Sequence, residues 1–170
     1  WPKSFWYKIY EPFIRKAAGF GVASIKKDKE RYEHKYEYCD LLVAGSGPAG
    51  LSSAYAAAKN GARVILAEDK PRFGGSLLTD DVTIDNLSGK AWTDKIITEL
   101  KEMPNVIIRN RSQVFGYYDH NMTVMFERTG DHLENKPKYT PRQRLWYIRA
   151  KEVLLSTGCL LYTSPSPRDW

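Results

Sequence analysis

Cys39-Asp40-Leu41-Leu42-Val43-Ala44-Gly45-Ser46-Gly47-Pro48-Ala49-Gly50 is the stretch on which the reading of this chain turns. Leu41 to Ala44 form a short apolar run of the kind that makes a strand buried on both faces. At Gly45 the chain turns tightly into a helix. In such a Gly-x-Gly-x-x-Gly turn the first glycine makes the bend and the second leaves bare backbone where a pyrophosphate presses. The third lets helix and strand pack closely. Pro48 suits the first helical turn, where its missing N–H costs nothing. Free amides at the helix start, with the positive end of the dipole, form an anion site. Gly45, Ser46, Gly47, Pro48, Ala49 and Gly50 are therefore the first candidate cofactor-binding residues.

The context outward from this turn is consistent with it. Ala54 is a small residue on the helix face, and Gly61 is placed to end the helix. Residues 62–67 read as a second buried strand, and Glu68 and Asp69 follow it. An acid at this spacing reaches the ribose hydroxyls of an adenosine. It also repels a 2′-phosphate, which disfavours NADP, although Lys70 and Arg72 stand nearby. NAD and FAD share this half-site, and the strand–turn–helix does not separate them. Gly74-Gly75 then allows close backbone approach to a ligand, and Ser76 offers a hydroxyl. A βαβ turn that holds no ligand is the alternative, set aside because so many elements agree.

Beyond this unit, residues 91–100 have the spacing of an amphipathic helix with Trp92, Ile96, Ile97 and Leu100 on one side. Val106-Ile107-Ile108 reads as a third parallel strand. Residues 113–118 and 122–127 read as a hairpin with Asp119-His120-Asn121 at the turn. Residues 144–149 read as one further strand and residues 151–156 as another, which leads to Thr157 and Gly158, the last candidate site residues. The expected fold is α/β: an incomplete Rossmann-like FAD/NAD(P)-binding domain in three layers, with a parallel sheet and a small antiparallel insertion. Residues 37–158 are the expected dinucleotide-binding domain. Residues 1–36 are an aromatic, basic lead, of which 22–36 read as a polar linker.

Composition narrows the function. The 170 residues are 42% hydrophobic and 27% charged, with no apolar run long enough to span a membrane. The net charge of +6 comes mainly from residues 1–36, where nine Lys/Arg face four Asp/Glu. No nucleic-acid recognition module follows, so an arm packed on an acidic neighbour is expected instead. In that arm Phe13, Ala17 and Phe20 fall at helical spacing, with Gly19 and Gly21 able to stop the helix. So much aromatic surface is expected to pack on something, and partly on protein outside this fragment. His34, His120 and His132 have no partner at catalytic or ligand spacing, and Cys39 and Cys159 give neither a metal pattern nor a disulfide framework. No metal site is expected, and the expected compartment is the cytoplasm. Residue 1 is Trp rather than Met, and the chain is expected to be a fragment. Residues 159–169, Cys-Leu-Leu-Tyr-Thr-Ser-Pro-Ser-Pro-Arg-Asp, match the translation of a sequencing-library adapter; residues 159–170 are expected to be such an artefact and are left out of the fold reading.

With these residues laid out, the chain resembles the alpha subunits of heterotetrameric sarcosine oxidases from Trp1 to Gly158. The blocks that carry the resemblance are Trp1-Pro2, Tyr10-Glu11-Pro12, Ala17-Ala18-Gly19, Gly45 to Gly50, Gly61-Ala62-Arg63-Val64 and Gly74-Gly75-Ser76-Leu77-Leu78. Ile14-Arg15, Val114-Phe115-Gly116-Tyr117-Tyr118-Asp119-His120-Asn121, and Arg144-Leu145-Trp146 with Ile148-Arg149-Ala150-Lys151 complete them. The resemblance implies a piece of a larger subunit that holds NAD and assembles with beta, gamma and delta subunits. FMN and FAD are held elsewhere in the assembly. It implies oxidative demethylation of sarcosine to glycine, with electrons passing to oxygen and the one-carbon unit to tetrahydrofolate. It also implies NAD contacts at Ala49, Glu68, Asp69, Lys70 and Ser76, and at Val114 through its backbone. The family has Asp-Glu where this chain has Glu68-Asp69, which leaves open which carboxylate takes the ribose. No catalytic residue is implied within this stretch. Two alternatives stand: a related FAD- or NAD-dependent amine, opine or amino-acid dehydrogenase subunit, and a non-catalytic nucleotide-binding scaffold.

Overall fold

The computed structural model describes residues 5–19 and 25–158. A π-helical turn at Trp6–Tyr10 runs into helix α1 (Glu11–Ala17), and Gly19 follows in the left-handed region at φ 72°. Phe13 is 74% exposed, and Trp6, Tyr7 and Ile14 are also exposed, so the expected packing of this aromatic arm does not occur among the described residues. Phe20, Gly21 and residues 159–170 lie outside the described residues.

Strand β1 (Tyr32–Ala44) is longer than its apolar run, starting within the stretch that reads as a linker. The reason is pairing: β1 runs parallel to the last strand from Tyr32↔Gln143 to Ala44↔Leu155. Polar side chains such as Glu33 and Lys35 stay half-buried or exposed on a backbone held by ladder bonds, so hydropathy does not show the strand. Helix α2 (Pro48–Lys59) buries Leu51, Ala54 and Ala58, and Gly61, at φ 83°, stops it as expected. Strand β2 (Val64–Ala67) is buried throughout and pairs parallel to β1, with Leu41 opposite Val64.

A one-turn 3-10 helix at Gly75–Leu78 leads to a hairpin, β3 (Thr83–Ile84) and β4 (Leu87–Ser88), that the sequence reading missed. Its turn places Asp85 and Asn86 at positive φ, 50° and 61°, where short polar side chains are the most tolerated after glycine. Ser88 then caps helix α3 (Gly89–Glu102) by accepting from the Ala91 N–H at 3.3 Å. Trp92, Ile96, Ile97 and Leu100 are buried on one side, as their spacing requires. Strand β5 (Val106–Arg109) adds to β2 in parallel.

Strands β6 (Ser112–Tyr118) and β7 (Met122–Arg128) form the expected hairpin, with a bulge between Val114 and Gly116. The two strands read over 144–156 are one, β8 (Gln143–Leu155). Its first half pairs antiparallel with β7, and its whole length runs parallel to β1. The sheet order is β5-β2-β1-β8-β7-β6. Helices α2 and α3 cover one face through Val43, Leu51, Val64, Leu66, Trp92 and Leu100. On the other face, Met125, Trp146 and Ile148 of the antiparallel ribbon pack with Leu42, Ile65 and Ala67. Helices, parallel strands and ribbon are the three layers.

The layers converge on the glycine turn. A Cβ at Gly45 would lie 2.4 Å from the Ser156 carbonyl oxygen, and one at Gly50 would lie 2.0 Å from the Gly45 carbonyl oxygen. Both obstacles are backbone and cannot rotate aside. Gly50→Ala is expected to lower stability by about 3 kcal/mol, the upper end for overpacking, as read by urea unfolding of the intact protein. Cys39 is buried under the ribbon. Burial first, then the charges of Glu37 and Asp40, push its thiol up to about 12. The native protein should leave the Cys39 peptide unlabelled by iodoacetamide at pH 8, and urea should expose it. Because the folded state holds this proton more tightly, the associated stability is intact below the ordinary thiol range and declines as pH rises toward 12.

Candidate functional site

A cleft of about 840 Å³ opens at the carboxyl ends of β1, β2 and β8. Ligand clefts of open α/β sheets form at this edge, where the strand order reverses. Gly45, Ser46, Gly47, Pro48, Ala49, Glu68, Asp69, Lys70, Gly75, Ser76, Val114, Thr157 and Gly158 all line it. Of the residues singled out from sequence, Gly50 and Gly74 are not in the lining. Gly50 is buried behind the turn, and the Gly74 N–H is turned to the Ser46 carbonyl at 3.0 Å.

At Gly47 a Cβ would meet nothing within 4 Å, so this position opens onto the cleft. Gly47 is the N-cap of α2, and no side chain caps that helix start. A helix start that no side chain caps is what a bound phosphate requires.

Glu68 and Asp69 are adjacent but differ physically. Glu68 is 7% exposed, while Asp69 is exposed. One Glu68 oxygen, Oε2, accepts from the Ser46 N–H at 2.9 Å and from the Ser46 hydroxyl; the other, Oε1, accepts from the Lys70 N–H at 3.1 Å. A carboxylate has about four acceptor sites, so one remains, on Oε1. The Glu68 carbonyl accepts from the Ser112 N–H at 2.7 Å, and the Asp69 carbonyl accepts from Arg128 at 2.7 Å. These bonds bring the start of the ribbon, with Gln113 and Val114, to the cleft wall.

Five lining residues, Ala44, Ala67, Ser112, Gln113 and Ser156, were not singled out from sequence as site residues. The Ser156 hydroxyl shares its one proton between the Ala44 and Gly45 carbonyls, at 3.0 Å from each, across more than a hundred residues of chain. No local pattern carries that pairing. The histidines are absent from the lining: His34 sits beside Tyr147, and His120 occupies the hairpin turn at φ 58°. Among the described residues no cluster of His, Cys, Asp or Glu could hold a metal ion, and no helix is long and apolar enough to cross a membrane.

A parallel βαβ unit with a bare second glycine and a carboxylate after β2 defines a dinucleotide-binding fold of the FAD/NAD(P) type. Residues 40–131 match the family of FAD dependent oxidoreductases, and the chain belongs to it. It is similar to the sarcosine oxidase alpha subunit of Rhizobium meliloti (strain 1021), 44% identical over 158 residues, covering 93% of this chain and 16% of that one. The corresponding protein of Corynebacterium sp. (strain U-96) is 37% identical over 83% of this chain and 15% of its own length. An opine oxidase subunit of Rhizobium meliloti is 28% identical over 77% of this chain and 25% of its own. The chain thus spans a quarter or less of these curated relatives. Among solved structures, L-proline dehydrogenase from P. horikoshii aligns with a TM-score of 0.56 at 21% identity, covering 81% of this chain and 25% of that one. A thioredoxin reductase from Gloeobacter violaceus aligns at 0.52 and 19%, covering 78% and 40%. Both likenesses show the fold.

The Glu68 bonds give a stability test separate from any ligand. Glu68→Ala leaves the buried Ser46 N–H and hydroxyl without their acceptor and is expected to cost about 2 kcal/mol. Asp69→Ala, at an exposed side chain, should stay within about 0.5 kcal/mol. Urea unfolding of both variants makes the comparison.

Proposed function

We propose that the cleft binds the ADP half of NAD, in a subunit of an amine-oxidising enzyme of the sarcosine oxidase type. The observation that carries this reading is the bare Gly47 at the uncapped start of α2, with the Glu68 carboxylate across the same cleft. The amides at the start of α2 would hold the pyrophosphate. Glu68, through its remaining acceptor site, would take a ribose hydroxyl; Asp69 and Lys70 would stand beside it. Ser76 in the glycine loop and the Val114 backbone would meet the rest of the nucleotide. A nicotinamide or flavin supplies two-electron redox chemistry when bound, and every residue named here acts on the opposite, adenosine end.

The resemblance to sarcosine oxidase alpha subunits supports the wider reading: sarcosine demethylated to glycine in the cytoplasm, with tetrahydrofolate and oxygen as acceptors, in a complex with beta, gamma and delta subunits. In it, residues 37–158 form the dinucleotide-binding domain. A second reading, FAD in the same cleft, is favoured by the family match itself. The similarity to an opine oxidase favours a related amine substrate as the variant of that reading.

Calorimetry on the intact subunit tests the cofactor. NAD should bind and NADP should bind more weakly, since a 2′-phosphate meets the buried Glu68 carboxylate, with Asp69 beside it, as a like charge. Glu68→Ala should weaken NAD binding by about 1.5–3 kcal/mol, the range for hydrogen bonds to a charged group. Gly47→Ala should leave unfolding unchanged, because its Cβ has room, yet weaken NAD at least about tenfold by filling the phosphate's place. Binding of FAD in preference to NAD would establish the second reading, and equal affinity for NAD and NADP would remove the carboxylates from the ribose.

A further inference from the structure

We propose that Ser46, although part of the glycine turn, is a positioning residue whose hydroxyl fixes the orientation of Glu68 and thereby sets the choice between NAD and NADP. This rests on the reading of the cleft as a NAD site. Three observations carry it.

The Ser46 residue is fully buried, so its hydroxyl is not a group offered to a ligand. That hydroxyl has one proton, and its short contact is with Glu68 Oε2, an acceptor-only partner. The proton therefore goes to the carboxylate, and the hydroxyl oxygen accepts from the Gly74 N–H at 3.2 Å. The result is a directed relay, Gly74 N–H to Ser46 O–H to Glu68, in which each bond polarises the next. Gly74 N–H also donates to the Ser46 carbonyl at 3.0 Å, which holds the glycine loop against the turn. Gly75 comes close enough that a Cβ there would lie 3.0 Å from the Gly47 Cα.

The consequence concerns what Glu68 can do. With the Ser46 N–H and O–H both on Oε2 and the Lys70 N–H on Oε1, the carboxylate cannot rotate without breaking three bonds. It presents one acceptor site and a fixed negative charge. A ribose hydroxyl can donate to that site. A 2′-phosphate cannot, and the charge it meets has no room to turn away. Freed from the hydroxyl, Glu68 would grip NAD less well and repel NADP less.

A serine that merely filled space would change both cofactors alike. Ser46→Ala in the intact subunit, with NAD and NADP affinities measured by calorimetry, separates the two. NAD affinity is expected to fall about tenfold with NADP affinity unchanged or raised, so the NAD preference narrows by at least the same factor. In a Glu68→Ala background the same substitution should change NAD affinity by less than about twofold, since a positioning residue has nothing left to position. Ser46→Gly removes the same hydroxyl and should give the same signature. Equal loss for both cofactors, unchanged NAD affinity, or an undiminished effect in the Glu68→Ala background would each overturn the proposal while leaving the NAD site in place. Absence of NAD binding by the unsubstituted protein would overturn the site reading and the proposal together.

Discussion

The constraint on which this structure depends is the contact of α2 with the strand it leaves. A methyl group at Gly50 would sit 2.0 Å from the Gly45 carbonyl oxygen, and one at Gly45 would sit 2.4 Å from the Ser156 carbonyl oxygen. Helix, first strand and last strand therefore meet with only the small Ser156 side chain between them. That closeness aims the start of α2 into the cleft. It also lets Gly45 N–H reach the Ala67 carbonyl and Ser156 N–H reach the Ala44 carbonyl, each at 2.8 Å. Three strand ends are thus locked around one turn, and the carboxylate after β2 is delivered beside it.

The second face of the sheet is held differently. The Arg109 guanidinium lies between β5 and the ribbon, 2.9 Å from Glu37 and 3.9 Å from Glu127, with its central carbon 3.8 Å from the centre of the Trp146 ring. The Trp146 N–H donates to the same Glu127 at 2.6 Å, and Arg144 bonds Glu33 at 2.9 Å. A shielded cation stacked on indole and paired with two carboxylates is stronger than a surface ion pair, and it fixes where the ribbon sits on the parallel strands. Because β6 begins at the Glu68 carbonyl, that placement also puts Val114 and Gln113 on the cleft wall.

The residue runs that carry the likeness to sarcosine oxidase alpha subunits do two kinds of work. Gly45 to Gly50 and Gly74-Gly75-Ser76 build or border the cleft. The run from Val114 to Asn121 reaches the cleft at Val114; the rest forms an edge strand and a tight turn, with His120 and Asn121 both at positive φ. Asn121 supports that turn: its side chain accepts from the Tyr117 hydroxyl at 2.6 Å and donates to the Lys151 carbonyl. A distinctive sequence there reflects backbone geometry, whereas the less distinctive glycine turn lines the cleft.

By itself the sequence determined whatever is local. The alternation of buried runs and amphipathic helices, the glycine turn, the ends of α2 and the acid after β2 all follow from residues within a few turns of one another. Tertiary structure decided what depends on pairing. Only the partnership with β8 makes a strand of the polar stretch from Tyr32, and only the parallel register makes one strand of residues 143–155. The two carboxylates, equal in sequence, become different groups because Ser46, brought from 22 positions away, buries and binds Glu68 while Asp69 stays in solvent. Hydrogen bonds between distant backbone and side-chain atoms leave no periodic trace in the chain, and that is why the cleft was legible in sequence but its internal division of labour was not.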